Sequence, residues 1–396
     1  MAYAQGRLIH DADGHFMETP DWLFKYADRE MRDRMGPVDL GTPELLKPSY
    51  FEKILARRAD PVQRASDDAN FMSRKLYDAL GAFAADDRGK AMDQLGFVSQ
   101  LMFPSFLLVP LYEADILGDD VDYAYRLAEV SNRAMADFCS ADPRLLSASY
   151  LSLRDFERAQ KATADLIASG TNALMISCSA PQEHSPSHVD LDPVWAQIEE
   201  AGIPVVLHIG TSGQLVDPSI YVNGLPKPDS AHGEQEEINS VSIVVAPRAV
   251  MQTLSAMIID GVMERFPRLK FGVIEQGAAW VPSWIRQLDT VHDAYFKFEE
   301  RLRSLSLRPS EYVNRHVRVT PYSVDDVGWI IEQSGEEICM FSSDYPHKEG
   351  GRDPIKRFDN SIKHLSESAR QRFYCDNFVD LMGSGLPESL AKVSSQ

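Results

Sequence analysis

Acidic and histidine side chains recur at the ends of short apolar runs along this 396-residue chain. The run Leu8–Asp13 ends in the aspartate that begins Asp13-Gly-His15. The run Pro204–Ile209 contains His208 near its end, and Lys270–Glu275 ends in a glutamate. Runs that are apolar nearly throughout are typical of parallel strands covered on both faces. One class of side chain at the same end of several such strands indicates that those ends meet in space.

The alternation of these runs with amphipathic helical patterns predicts a parallel (β/α)8 barrel, that is, a TIM barrel. Such a barrel has its active site at the C-terminal ends of its strands. The length suits a single barrel domain over residues 1–396 with insertions. The predicted strands are Leu8–Asp13, Val98–Phe103, Ser147–Ser152, Ala173–Cys178, Pro204–Ile209, Lys270–Glu275, Val317–Pro321 and Ile338–Ser343.

Two stretches are too long to be simple connections between a strand and a helix. Residues 17–90 contain helical patterns at Trp22–Arg34 and Phe51–Ala59, and residues 210–247 are rich in Gly, Pro, Asn and Ser. Long insertions after barrel strands usually form lids or substrate walls. We therefore expect both stretches to cover the active site.

The composition restricts the partners and the compartment. A net charge of −19 argues against nucleic acid or an anionic membrane, because both require a basic surface. The four cysteines show no C-x-x-C pair, which fits reduced thiols in the cytoplasm. The N-terminus has no apolar signal core, and no uninterrupted apolar run approaches the roughly 18 residues of a membrane helix. We expect a soluble cytoplasmic protein with a small-molecule substrate.

The polar residues at the strand ends have the chemistry of a metal site. Asp13 and His15 are two apart on one strand and so point to the same side, and His208 and Asp344 end two other strands. Imidazole and carboxylate together suit zinc, manganese or iron. Taken singly, Asp-Gly is also a turn signal, His208 could be a hydrogen-bonded core residue, and Asp344 could cap a helix.

Several motifs together resemble one known family, the amidohydrolase-related family, in its branch containing aminocarboxymuconate-semialdehyde decarboxylase. The resemblance extends from about Leu8 to Met382. The motifs are Asp13-Gly-His15 with Glu18 and Pro20, Val-Val-Leu-His208-Ile-Gly, Phe266-Pro-Arg-Leu-Lys-Phe271, Gly277-Ala-Ala-Trp-Val-Pro282, Ser-Asp344-Tyr-Pro-His347 with Gly350-Gly351, and Arg372–Leu381 with Asn377.

The resemblance implies a metal-dependent barrel, often a homodimer. It also implies hydrolysis or non-oxidative decarboxylation of a small carboxylate-bearing substrate, through metal-activated water or a metal-polarised substrate. In this interpretation Asp13, His15 and His208 hold the metal, and Asp344 is both a metal partner and a base.

Three departures from the family pattern leave alternatives open. The first motif is Asp-x-His where the family decarboxylases usually have His-x-His or Glu-x-His, Glu275 stands where they place a histidine, and His347 adds an imidazole. Glu275 and His347 are therefore predicted either as acid/base groups or as further metal ligands, with one or two ions per chain. Some members of the family with a similar variant ligand set use two metals, including iron, to hydroxylate a carboxylic acid. A dinuclear non-haem iron monooxygenase is thus the alternative function.

Two residues are predicted to bind the substrate. Arg352 follows the last strand motif and could hold a carboxylate through two hydrogen bonds, and His232 lies in the second insertion.

A third functional hypothesis is a catalytically silent barrel that serves as a binding subunit. It is disfavoured because the side chains at the four main metal positions can all bind a metal ion. These positions are Asp13, His15, His208 and Asp344.

Overall fold

The computed structural model describes residues 2–40, 47–212, 215–226 and 239–391. Seven parallel strands form one sheet in which each strand pairs with the next in the sequence. They are β1 (His10–His15), β2 (Ser99–Phe103), β3 (Leu145–Tyr150), β4 (Ala173–Met175), β5 (Val205–His208), β6 (Phe271–Ile274) and β7 (Val317–Val319). Every residue in these strands is buried, as their apolar sequences require.

The eighth predicted strand, Ile338–Ser343, closes the barrel through single bridges. Cys339 forms a bridge with Val319 of β7, and Tyr345, just after the segment, forms a bridge with Gly14 of β1. A regular ladder does not form because two of its N–H groups have other acceptors. Phe341 N–H donates to the Phe373 carbonyl at 2.8 Å, and Ser343 N–H donates to a carboxylate oxygen of Asp11 at 2.7 Å.

Helices connect the strands, as expected for a TIM barrel. They are α1 (Arg29–Met35), α2 (Pro48–Ala59), α3 (Pro61–Ala69), α4 (Ala85–Leu95), α5 (Leu108–Tyr112), α6 (Val121–Cys139), α7 (Phe156–Ala168), α8 (Asp192–Ala201), α9 (Ser240–Val245), α10 (Arg248–Ile259), α11 (Val262–Arg265), α12 (Val281–Tyr295), α13 (Glu300–Arg303), α14 (Pro309–His316), α15 (Val327–Ser334), α16 (Pro354–Ile362), α17 (Glu367–Gln371), α18 (Asn377–Met382) and α19 (Glu388–Ala391). The longest, α6, begins at a cap in which the Asp120 side chain accepts a hydrogen bond from Tyr123 N–H.

The helical stretch Ser240–Ile259 meets the length and composition criteria for a membrane helix, alone among the helices of the described ranges. This differs from the expectation that no membrane-spanning helix would be present. Val250, Leu254 and Ile258 of this stretch are fully buried in the protein core. A buried helix of a protein core can meet the same length and composition criteria, and the burial of these three side chains fits that case.

The two long insertions differ in how much of them is described. The described part of residues 17–90 forms α1 to α3, three short 3-10 turns (Phe24–Tyr26, Phe71–Ser73 and Leu76–Asp78) and the start of α4. Of residues 210–247, the structure describes a 3-10 turn at Pro218–Tyr221 and α9. The covering role of both insertions stays a prediction.

Candidate metal centre

Six acidic and histidine side chains converge at the C-terminal ends of the barrel strands. They come from β1, the end of β5, the residue after β6, and the turn that follows the eighth strand segment. All six are buried: Asp13, His15, His208, Glu275, Asp344 and His347. The structure therefore brings together every one of the predicted catalytic and metal-ligating residues, although they are up to 334 positions apart in the sequence.

The separations of the donor atoms match those around one metal ion. His15 Nε2 lies 3.1 Å from Asp13 Oδ1, 3.6 Å from Glu275 Oε2 and 3.7 Å from Asp344 Oδ1. His208 Nε2 lies 3.4 Å from both Asp13 Oδ1 and Glu275 Oε2. Ligands about 2.1 Å from a tetrahedral ion are about 3.4 Å from one another. An ion therefore fits between these atoms.

Two overlapping sets of donors satisfy this geometry. One set is Asp13, His15, His208 and Glu275, and the other is His15, Glu275, Asp344 and His347. Within each set the donor atoms all lie within 4.8 Å of one another. Because the sets share His15 and Glu275, a second ion would have to share ligands with the first.

Backbone carbonyls orient both core histidines for metal binding. Nδ1 of His15 lies 3.0 Å from the Pro104 carbonyl oxygen, and Nδ1 of His208 lies 2.7 Å from that of Ile209. A carbonyl only accepts, so Nδ1 carries a proton in each ring, and Nε2 is the atom that would bind a metal ion. This is the arrangement that metal-ligating histidines commonly show.

Several buried atoms of the cluster have no hydrogen-bond partner. They are Asp13 Oδ2, His15 Nε2 and both carboxylate oxygens of Asp344. Buried polar atoms are rarely left unpaired, because the loss of solvation costs about 1–3 kcal/mol per group and more for charged groups. A cation would satisfy these lone pairs together, so the residues present fit a metal.

Burial and mutual repulsion perturb the pKa values in the cluster. Burial would raise the pKa of Asp13, but the adjacent His15 and His208 outweigh it and hold it well below the usual range. Burial and the charge of Asp13 raise the pKa of Asp344 to about 7, and burial together with Asp344 raises that of Glu275 well above its ordinary value. Such shifts mark a site with excess buried negative charge, which a metal ion would neutralise.

His347 differs from the two core histidines in its surroundings. Burial, followed by the nearby His15, lowers the pKa of His347 well below its ordinary value, so the ring is neutral. Its Nδ1 lies 3.2 Å from Asp344 Oδ1, and its Nε2 lies 2.7 Å from Ser105 Oγ on the loop after β2. Its ring stacks on His15 at a centroid distance of 3.9 Å. His347 thus links the last strand motif to two other elements of the site.

The backbone adopts unusual conformations at two of the acids. Glu275 and Asp344 have φ values of +56° and +50°, in the left-handed region that residues with side chains seldom occupy. Thr320 Oγ1 accepts the Glu275 N–H at 2.8 Å, and Asp344 N–H donates to the Asp13 carbonyl at 2.9 Å. Conformations of this kind concentrate at functional sites.

A buried polar network supports β1 beneath the cluster. Gln100 Nε2 donates to Asp11 at 2.6 Å, and Arg88, fully buried, donates to Gln100 Oε1 and to the His15 carbonyl. The ladder with β2 shifts register between Asp11 and Gly14. Gly14 is required at this bulge, because a Cβ there would lie 2.2 Å from the Gln100 side chain. Buried hydrogen bonds of Gln100 and Arg88 therefore hold the backbone of Asp13-Gly-His15 in position.

The two predicted substrate-binding residues are not part of the described cluster. Arg352 is exposed and lines a surface groove with Tyr3 and Asn70. His232 lies outside the described residues. Binding of a carboxylate by Arg352 would need a substrate that extends out of the buried cluster to the surface.

Three residues at or near the site had no role assigned from the sequence: Ser105, Lys75 and Glu18. Ser105 has no motif of its own, and Lys75 lies in an insertion without a recognisable pattern. Glu18, noted only as part of a motif, accepts hydrogen bonds from Ser105, Phe106 and Leu107 N–H at 3.0, 2.9 and 3.3 Å. The only sign of Glu18 in the sequence was its position three residues after His15.

Comparison with known proteins identifies the family. The chain matches the amidohydrolase family over residues 11–380, nearly its whole length. It belongs to the amidohydrolase family. This match confirms the family that the motifs at the strand ends had indicated. No curated protein matches the chain.

Solved structures of low sequence identity share the fold over almost the entire chain. An amidohydrolase from Mycobacterium avium subsp. paratuberculosis is 22% identical with a TM-score of 0.73, covering 96% of this chain and 98% of its own. The 5-carboxyvanillate decarboxylase from Sphingomonas paucimobilis is 19% identical with a TM-score of 0.61, covering 95% and 98%. These likenesses confirm the predicted TIM-barrel fold.

A further similar structure contains ligands. The 5-carboxyvanillate decarboxylase from Novosphingobium aromaticivorans, with bound manganese and 4-hydroxy-3-methoxy-5-nitrobenzoic acid, is 20% identical with a TM-score of 0.62. The alignment covers 96% of each chain. Nothing in these comparisons supports the alternative of a dinuclear iron monooxygenase.

Proposed function

We propose that this amidohydrolase is a metal-dependent enzyme that catalyses the non-oxidative decarboxylation of a small carboxylate-bearing substrate. The observation that carries the proposal is the buried convergence of Asp13, His15 and His208 with carboxylate oxygens that have no hydrogen-bond partner. The decarboxylases of the same fold, one of them with manganese and a nitrobenzoic acid, favour this reaction among those that a metal supports.

The metal would be held by Asp13, His15 and His208, with Glu275 Oε2 in reach of both imidazoles. A divalent ion in this position supplies positive charge that binds and polarises a substrate oxygen. Manganese suits the carboxylate oxygens of this site, and one of the similar structures contains it. The identity and number of ions are part of this proposal, and one manganese per chain is the form that we favour.

Asp344 is placed to transfer the proton. In a decarboxylation the bond between the carboxylate and its carbon breaks, the electron pair stays on that carbon, and a proton must replace the departing CO2. With its pKa raised to about 7 by burial and by Asp13, Asp344 exchanges a proton near neutral pH. Its two oxygens have no hydrogen-bond partner and so are available to the substrate.

The side chains of Glu275 and His347 lie beside Asp344 and His15 in the same buried cluster. The raised pKa of Glu275 lets this side chain hold a proton when it is not bound to a metal. His347 is neutral and packs against His15, which limits the room for solvent beside the metal ligands. Exclusion of water protects the carbanion-like carbon from side reactions.

Hydrolysis is the second candidate, favoured by the family to which the chain belongs. In that reaction Asp344 would accept a proton from the attacking water rather than give one to carbon. A homodimeric assembly and a cytoplasmic location, both expected from the sequence, stay predictions alongside this proposal.

One experiment separates these functions. Manganese-loaded protein would be incubated in D2O, with and without oxygen, with aromatic carboxylates that include 5-carboxyvanillate and 2,6-dihydroxybenzoate. Decarboxylation predicts release of CO2 and one deuterium at the vacated carbon. Turnover of amides or esters without CO2 release would favour hydrolysis instead, and turnover that requires O2 would contradict both.

A further inference from the structure

A lysine that no motif indicated reaches the neighbourhood of the metal centre. Lys75 lies between the 3-10 turns Phe71–Ser73 and Leu76–Asp78, in the insertion after β1. Its side-chain stem is partly exposed, but Nζ is shielded from solvent and has no hydrogen-bond partner. An ammonium group that is shielded and unpaired is unfavourable, because none of its three N–H donors is satisfied.

The backbone around Lys75 is anchored to the strand motif that carries the proton-transfer group. Leu76 N–H donates to the Pro346 carbonyl at 2.9 Å, and Tyr345 OH donates to the Leu80 carbonyl at 2.8 Å. The ring of Phe71 stacks on that of Tyr345 with centroids 5.2 Å apart. These contacts hold Lys75 beside the turn from Asp344 to His347.

Three acidic side chains act electrostatically on Lys75. Burial lowers the pKa of Lys75 to about 8, while Asp344, Glu349 and Asp11 oppose that shift through their negative charges. Lys75 Nζ nevertheless has no hydrogen-bond partner among the described residues, so its N–H donors are available to an anionic group.

We propose that Lys75 binds a second acidic group of the substrate while the metal ligands hold the first. The proposal rests on the proposed function and narrows its substrate class to small molecules with two acidic groups, such as benzene dicarboxylates. An ammonium group has no lone pair to offer a metal ion, so Lys75 Nζ can add to the metal ligands a separate hydrogen-bond donor for an anionic oxygen of the substrate.

Binding measurements without turnover test this inference. Benzoate and isophthalate (benzene-1,3-dicarboxylate) would be titrated calorimetrically into manganese-loaded protein, since isophthalate has the second carboxylate and benzoate lacks it. We expect the natural chain to bind isophthalate more tightly. Lys75→Met, which keeps the stem and removes the charge, should lose about 10- to 100-fold in isophthalate affinity. Its benzoate affinity should stay within about twofold.

Two further variants serve as controls. Lys75→Arg keeps the charge and should retain most of the preference for isophthalate. Lys161→Met removes a lysine that is 77% exposed on α7 and should bind both ligands as the natural chain does. Metal content should be equal in all four proteins, which shows that a loss of binding is not a loss of the ion.

The other outcomes overturn the inference. Equal preference for isophthalate in Lys75→Met would show that Lys75 does not contact the second group. Loss of metal or of benzoate binding together with isophthalate binding would show that Lys75 only balances the charge of the site. If Lys75→Met does not fold, Lys75→Gln replaces it with the same expectations. Failure of the proposed reaction leaves this result unaffected, because no turnover is measured.

Discussion

Ser105 Oγ lies 2.7 Å from Nε2 of His347 and 2.8 Å from the carbonyl oxygen of Phe16. A hydroxyl has one proton, and the carbonyl can only accept, so that proton goes to Phe16. His347 Nε2–H then donates to Ser105 Oγ, which leaves a lone pair on Nδ1. That lone pair faces Asp344 Oδ1 at 3.2 Å, an arrangement that a cation or a shared proton stabilises.

Ser105→Ala tests this orientation. Without the hydroxyl, the His347 ring loses the acceptor that selects its tautomer, and we expect kcat/KM to fall about 10- to 100-fold. The pH profile of kcat/KM should shift as well, which a purely structural role would not produce. Ser105→Thr keeps the hydroxyl and should restore most of the activity. Wild-type kinetics and pH profile in Ser105→Ala would show that the contact has no part in the reaction.

His15→Ala and His208→Ala should each abolish metal retention. Both imidazoles present Nε2 to the same point, and a site that loses one of its few nitrogen ligands holds an ion far less tightly. Metal per chain would be measured by elemental analysis after dialysis. His364→Ala, at an exposed histidine 3.2 Å from Glu332, is the matched control and should keep its metal. Equal metal content in all three variants would refute the assigned ligands.

Asp344→Asn should bind metal but turn over slowly. The amide has nearly the shape of the carboxyl group but cannot exchange a proton, so kcat should fall about 100- to 10,000-fold. Asp165→Asn, at a side chain that is 63% exposed on α7, provides the control with an unchanged kcat. A kcat for Asp344→Asn within a few-fold of the natural enzyme would assign proton transfer to another residue, with Glu275 the next candidate.

Glu18 should make the stability of the metal-free protein depend on pH. Burial raises the pKa of Glu18 from 4.5 to about 7, although backbone N–H groups of Phe106 and its neighbours oppose the shift. Between these two values the folded state binds more protons at this site than the unfolded chain does. The contribution of Glu18 to stability therefore falls as the pH rises through this window, by about 2 kcal/mol between pH 5 and pH 8.

Urea unfolding of the metal-free natural chain and of Glu18→Gln at both pH values measures this effect. Glutamine does not titrate, so the difference in unfolding free energy between the two proteins isolates Glu18. We expect the natural chain to lose about 2 kcal/mol relative to the variant on going from pH 5 to pH 8. A difference that does not change with pH would mean that Glu18 is ionised throughout.

The strand ends were the most predictable part of the site. Asp13, His208 and Glu275 could be recognised because each closes an apolar run, and the geometry of a barrel requires such ends to meet. The boundaries were less certain, since the third strand is Leu145–Tyr150 rather than Ser147–Ser152. Apolar residues continue past strand ends into loops, so periodicity alone does not locate the last ladder hydrogen bond.

The eighth strand shows where local pattern stops being informative. Its apolar sequence is that of a strand, but Ser343 N–H is taken by the Asp11 side chain and Phe341 N–H by the Phe373 carbonyl. Those acceptors lie far away in the sequence. Which acceptor an N–H group uses is decided by the packed neighbours, and no local pattern contains them.

By itself, the sequence determined the barrel and the residue types at its active end, because the order of apolar runs and their terminal acids and histidines is local information. Only the tertiary structure decided which atoms have free lone pairs, that Ser105 orients His347, and that Lys75 ends unpaired near Asp344. These relationships join residues from different elements at distances of a few ångströms. They depend on how the insertions and strand ends pack, since burial and neighbouring charge set the chemistry of each group.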